Sequence, residues 1–273
     1  MTNCWICGKL ADSAEHKIKK SDIVKINGTG SYKKGKVLLH QDDSLIPLQG
    51  SNSKLVKYDK ILCSSCNNAF TQPFDKAYEC FIDYVCDNRD LVLNQRFINF
   101  KEVYGENFAD EQRNLYKYFV KSFGCRLAHY KHQIPTDLNR LLYQENFQTQ
   151  LKISFAVNED KLLHHSFEKM VGNGDLYVYD GLESRKTASL PRKIFSMIDS
   201  SILCIYEYSE YFGWLHIFYW YNYRPDGDLG NPWIANSQHI YLGRFYSFSD
   251  EEREKTLDRI KGEENVDSLD IQE

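Results

Sequence analysis

The sequence predicts an α+β chain in two parts, and three observations carry that expectation. Two Cys-x-x-Cys pairs, Cys4/Cys7 and Cys63/Cys66, bracket 55 residues near the N-terminus. Apolar residues then recur at helical spacing between Phe74 and Leu127. From Leu151 onward, apolar positions alternate, and aromatic or β-branched segments follow one another between Gly, Pro and Asp turns. The expected division is a cysteine-bearing module at 1–87 and a helix plus antiparallel-sheet region at 88–273.

The elements follow in order. Trp5 and Ile6 are buried candidates within the first cysteine pair, and Gly8 supplies the turn that exposes backbone N–H groups to the thiolates. Ile18, Ile23, Val24 and Ile26 anchor a short strand at Glu15–Ile18 and a helical turn near Ser21–Lys25. Residues 27–36 are turn-rich and basic, so Lys33, Lys34 and Lys36 are expected on an exposed loop able to lie along a phosphate backbone. Val37–His40 and Ser44–Leu48 read as strands, the second kept at a sheet edge by Pro47. A turn at 49–53 and the stretch Leu55–Leu62 lead into the second pair. Cys66–Phe70 should open a helix. Pro73 is a good first residue for the next, because it lacks the N–H that would be orphaned there. Phe74, Tyr78, Phe81/Ile82 and Val85 form its apolar stripe, and Asp75 falls in the first turn, where a carboxylate favours the helix dipole.

In the second region, Leu115, Tyr118/Phe119, Phe123 and Leu127 mark a helix over Gln112–Tyr130. Pro135-Thr136-Asp137 precedes another at about 137–146. Leu151, Ile153, Phe155 and Val157 alternate as in a half-buried strand. Further strands are expected at Leu176–Tyr179, Ile202–Tyr208, Trp214–Tyr223 and His239–Phe248, with a turn at Arg224-Pro225-Asp226-Gly227. Residues 249–261 read as a charged amphipathic helix, and 262–273 as a frayed acidic tail. His164-His165 is an adjacent pair and reads as surface or core rather than a metal site, since neighbours on a strand face opposite ways.

Composition bounds the chemistry. The net charge of −4 is not that of a bulk nucleic-acid binder, but the charge is unevenly spread. Residues 1–60 carry a net +5 and residues 249–273 a net −6. A basic module on an acidic chain fits a local phosphate footprint or a solvated lysine face. Eight cysteines in 273 residues are too few for a disulfide scaffold. Cys80, Cys86, Cys125 and Cys204 read as small core residues. No apolar run reaches the ~18 residues that span a bilayer, and the N-terminus lacks a signal-peptide pattern. The expectation is a cytoplasmic protein with no membrane partner.

A Cys-x-x-Cys knuckle places two thiolates on one turn, and two knuckles complete a tetrahedral four-cysteine site for Zn²⁺ with Zn–S near ~2.3 Å. Such a site is closed, hence structural. Chemistry would belong to the polar residues around it: Glu15-His16 between the pairs and Asn67-Asn68 directly after the second.

That order, Cys-x-x-Cys, acid-His, Cys-x-x-Cys-Asn, resembles the HNH (ββα-metal, His-Me finger) endonucleases in their zinc-stapled form, over roughly residues 1–80. The resemblance implies a ββα-metal fold for the module and metal-dependent hydrolysis of phosphodiesters, most plainly of DNA, as in bacterial defence or mobile elements. It makes His16 the general base, with Glu15 and Asn67 holding one Mg²⁺ or Mn²⁺, and leaves Asn68 as a rival to Asn67. Lys17, Lys19 and Lys20 become candidates for contact with substrate. Two departures bear on the hairpin. No proline follows His16-Lys17-Ile18-Lys19, and Tyr58-Asp59 stands where many members have an asparagine. Residues 88–273 are then expected to position substrate, sense an activator or form an oligomer. The alternative is a zinc-stapled module that binds nucleic acid or protein without catalysis.

Overall fold

The computed structural model describes residues 2–32, 37–41, 44–145, 147–163, 193–195, 205–221, 232–246, 249–251, 253–255 and 257–258. The loop lysines Lys33, Lys34 and Lys36 lie outside these residues. So do His164-His165, the expected strand Leu176–Tyr179, the turn Arg224–Gly227 and the acidic tail.

The N-terminal elements close around the cysteines. Strand β1 (Ser13–His16) runs two residues ahead of the expected strand and is followed by α1 (Lys20–Asn27). Strands β2 (Leu38–Gln41) and β3 (Ser44–Pro47) form an antiparallel hairpin. The chain returns in β4 (Lys57–Leu62), antiparallel to β1, with Ser13 opposite Leu62 and His16 opposite Lys57. Cys66–Phe70 is a π-helical turn, in which Thr71 N–H reaches back to the Cys66 carbonyl at 3.2 Å. Helix α2 (Gln72–Asp87) follows, with Pro73 in its first turn as expected. The β1–β4 ribbon and the π-turn with α2 form a ββα arrangement, into which α1 and the β2–β3 hairpin are inserted.

Two short helices and a strand then appear where the sequence shows no period: α3 (Arg89–Gln95), β5 (Phe97–Asn99) and α4 (Phe100–Tyr104). Each is too short for a periodicity to build up. The long helix α5 (Phe108–His129) starts four residues earlier than expected, and α6 (Thr136–Tyr143) follows. The strands are β6 (Leu151–Asn158), β7 (Lys193–Phe195), β8 (Ile205–Phe212), β9 (Leu215–Tyr221) and β10 (His239–Phe245).

The protein is α+β, as expected. Its large sheet has six strands in the order β5-β10-β6-β9-β8-β7. All neighbours are antiparallel except β6 and β10, which run parallel with Phe155 beside Leu242. That pair departs from the all-antiparallel expectation. Parallel neighbours need a long crossover, and the intervening β7, β8 and β9 are part of it.

Helix α5 lies between the ββα unit and the sheet. Phe119, fully buried, meets Tyr78 of α2 on one side and Phe155, Tyr219 and Trp233 on the other, with ring centroids 5.8–6.3 Å apart. One buried cluster therefore runs from Cys4 and Ile6 through α2 and α5 into the sheet, crossing residue 87 without a break. A smaller cluster of Ile18, Ile23, Val37, Leu48 and Val56 supports the inserted elements. Cys125 is buried as read from the sequence, whereas Cys80 and Cys86 are exposed on α2, off its apolar stripe. No helix among the described residues is long and apolar enough to cross a membrane.

Candidate metal centre and adjoining cleft

The four cysteine sulfurs Cys4, Cys7, Cys63 and Cys66 all lie within 4.8 Å of one another. A tetrahedral ion with ~2.3 Å bonds needs its sulfurs about 3.8 Å apart, and the Cys7–Cys63 separation is 3.5 Å. The cluster therefore fits a metal such as zinc. Three of the cysteines are buried and Cys7 is half-buried. Gly8, at φ 75°, lets its N–H fold back to the Cys4 carbonyl at 2.8 Å. In the second knuckle Cys66 N–H donates to Cys63 Sγ at 3.4 Å. That donor draws the Cys63 thiol down to about 7, while burial pushes Cys4 and Cys66 up. A bound dication would reverse the burial penalty and hold all four as thiolates.

The knuckles are tied to each other and to the second region. Asp12 accepts from both the Ser64 N–H (2.6 Å) and the Ser64 hydroxyl (2.9 Å). Trp5 lies flat against Gly124 of α5, where an added Cβ would run into the indole ring, and its Nε1–H donates to Cys125 Sγ at 3.3 Å. Asn139 of α6 donates to the carbonyls of Trp5 and Ile6.

Beside the cluster lies an open cleft of about 490 Å³. Its walls include Glu15, His16, Lys19, Lys20, Asn67, Asn68 and Asp75. The acid-His pair arrives on β1 and the asparagines on the π-turn directly after Cys66, so the cysteine cluster fixes their separation. Asn67 is held from both ends. Its N–H bonds the Cys63 carbonyl at 2.9 Å, and its Nδ2 donates to Ser13 Oγ of β1 at 2.9 Å. Asn67 Oδ1 and His16 Nε2 are both buried atoms with no hydrogen-bond partner. Buried polar atoms are usually satisfied, and the Ser21 hydroxyl on the same cleft is a third atom of this kind. Asn68 is exposed and makes no comparable contact, which distinguishes the two asparagines.

Burial, then the ammonium groups of Lys57, Lys20 and Lys19, lower the His16 pKa to about 4, against a supporting hydrogen bond to the Ser51 backbone. The imidazole is therefore neutral at pH 7, as an acceptor of protons must be.

The three lysine candidates separate. Lys20 is exposed on the cleft wall. Lys19 also lines the cleft, but its ammonium is engaged by Asp75 Oδ1 at 2.9 Å and Glu79 at 3.4 Å. Lys17 does not line the cleft. It lies over the Tyr58 ring, 6.0 Å from its centroid, where burial lowers its pKa.

Two residues gain roles that sequence reading did not give them. Lys121 of α5 has a side chain only 2 % exposed, and its ammonium lies 3.2 Å from Glu15 Oε2 and 3.0 Å from Asp75 Oδ2. Asp75, read as a helix-dipole residue, is the carboxylate shared by Lys19 and Lys121. A signal for Lys121 exists in hindsight. It falls three residues after Tyr118 and four before Cys125, on the same helical face as residues read as core. A lysine there needs a buried anionic partner.

Comparison with family models, with curated proteins and with solved structures gives no match.

Proposed function

We propose that the cleft is the active site of a metal-dependent endonuclease, with the four-cysteine cluster as its structural zinc site. The observation that carries this reading is the pair of unpartnered atoms, His16 Nε2 and Asn67 Oδ1, on the same cleft as Glu15. A base needs an unprotonated nitrogen with its lone pair available. A hard cation needs oxygen ligands, and one carboxylate with one amide oxygen would hold Mg²⁺ or Mn²⁺ while leaving positions for phosphate and water. Bound there, the ion would supply positive charge to the phosphoryl oxygens as negative charge develops on them.

The chain's own groups then have distinct tasks. His16 Nε2 accepts a proton from the attacking water. The Ser51 backbone orients the imidazole from its other side. Ser13 accepts from the Asn67 amide nitrogen, which leaves the amide oxygen as the group that would hold the ion. Lys20, exposed on the cleft wall, meets the phosphate backbone. An incoming phosphate would offset the three lysines around His16 and raise its basicity toward the working pH.

The test is cleavage of supercoiled plasmid by the zinc-loaded protein with Mg²⁺, Mn²⁺ or EDTA, beside His16→Ala. Nicking that requires the ion is expected to fall by about 10²–10⁴-fold in the variant, with zinc content and melting temperature retained. Ion-independent DNA binding with no cleavage would favour the non-catalytic binding module instead.

A further inference from the structure

We propose that Lys121 is the positioning residue of Glu15 and the fixed counter-charge that sets how tightly the cleft holds a divalent cation. This inference rests on the metal-site reading above and extends it to a residue of the second region. Lys121 comes from α5, outside the ββα unit. Its ammonium touches Glu15 Oε2 at 3.2 Å and both Asp75 oxygens at 3.0 and 3.2 Å. The two contacts with Asp75 are hydrogen bonds and the one with Glu15 is an ion pair, all made by a side chain almost wholly shielded from water.

The ion pair takes one oxygen of Glu15, Oε2, so the carboxylate is pinned by one end and Oε1 remains for a metal. Asp75 is spent differently. Lys19 and Lys121 share its charge, so it anchors Lys121 rather than serving as a third ligand. The base of Lys121 is equally constrained. One turn further along α5, Gly124 and Cys125 seat the Trp5 indole of the first knuckle. The same stretch of helix thus locates the cysteine cluster and aims Glu15.

A dication beside Glu15 would sit close to this ammonium, in surroundings less screened than water, and like charges there oppose one another strongly. Two consequences follow, in opposite directions. Removing the charge should tighten ion binding, and releasing Glu15 should slow turnover. A lysine that merely supported the fold would weaken binding or leave it alone.

The experiment is titration of the zinc-loaded full chain with Mn²⁺, read by the electron paramagnetic resonance signal of the free ion. The proteins are the wild type, Asn67→Ala, Lys121→Met and Lys121→Arg. The hard Mn²⁺ ion does not compete for the thiolates. Lys121→Met is expected to bind Mn²⁺ about tenfold more tightly than wild type and to cleave about tenfold more slowly at saturating ion. Lys121→Arg, which keeps the charge, should keep wild-type affinity. If Lys121→Met does not fold, Lys121→Gln gives the same reading, because its amide still donates to a carboxylate without the charge. Wild-type uptake that depends on Asn67, with affinity unchanged or weakened in Lys121→Met, overturns this inference alone. No uptake by the wild type, or uptake indifferent to Asn67→Ala, overturns the metal-site reading and this inference with it.

Discussion

The ββα unit and the helix-sheet region are built from different material. Around α5 and the sheet the interior is aromatic: Phe119, Phe123, Phe155, Tyr219 and Trp233 are buried and pack ring against ring. Around β1 and β4 it is sulfur and charge: four cysteines on one side, and Glu15, Asp75, Lys19 and Lys121 on the other. A two-stranded ribbon such as β1–β4 is marginal alone in water. Here it is stapled by the cysteine cluster and docked on α5 through Trp5 and Lys121. The difference teaches where the proposed chemistry can be afforded. Orphaned polar atoms and buried charges occur in both regions, Gln112, Lys117 and Ser154 among them, and what sets the ββα unit apart is that it gathers them beside the cysteine cluster, in a position fixed from outside.

The sharpest way to break this comparison is to remove the staple. Cys63→Ser should abolish zinc binding, and the ββα unit should lose its order, since structural zinc contributes on the order of 10–16 kcal/mol in small domains. Because one buried cluster runs from Cys4 through α2 into the sheet, the loss should reach the aromatic packing of the sheet as well. Zinc analysis reads the first loss, and far- and near-ultraviolet circular dichroism the second. A variant that keeps one zinc per chain and the parent's melting temperature would show that the cysteines are incidental.

The joint itself offers a smaller effect. Gly124→Ala places a methyl group where the Trp5 indole lies. Overpacking of this kind costs about 1–3 kcal/mol. Zinc should stay bound, because no ligand is touched. Trp5→Leu vacates the space, so the double variant should be more stable than the sum of the single losses predicts. Strict additivity in the melting temperatures would mean that Trp5 and Gly124 are not in contact.

The regions also differ in how much of each was legible in the sequence. The cysteine cluster could be placed from its spacing, since a knuckle is local, whereas Glu15, His16 and Asn67 are placed beside it by the resemblance to the zinc-stapled HNH pattern. The helices α2 and α5 and the strand β6 announced themselves by period, α6 by the Pro-Thr-Asp signal ahead of it, and β8, β9 and β10 by aromatic and β-branched composition between turns. Three kinds of feature did not. Elements as short as β5 and α4 hold too few residues for a period. The parallel pairing of β6 with β10 is a property of the crossover, and neither strand encodes it. Lys121, finally, is 106 residues from Glu15, a separation no local pattern spans. A buried lysine on an apolar helix face asks for an anion, yet the sequence does not say which carboxylate answers.

The finest effect concerns proton linkage at His16. Its pKa is lowered to about 4 in the folded protein, chiefly by burial, from an ordinary value of 6.5. Between those values the unfolded chain binds a proton that the folded chain refuses, so stability falls as pH drops. The contribution is fully present above pH 6.5 and is lost progressively as pH falls toward 4. At pH 5.5 the loss is about 1 kcal/mol or less once solvent screening of this half-buried ring is allowed for. His16→Asn removes the titrating group and leaves the cysteines alone, so protonation of the thiolates affects both proteins equally. The stability difference between wild type and variant, from urea melts at pH 7.5 and 5.5, should therefore move against the wild type at the lower pH. A constant difference, or one moving the other way, would mean that the folded protein accommodates the imidazolium. Burial, with the ammonium groups of Lys57, Lys20 and Lys19 behind it, would then be too weak to keep His16 neutral.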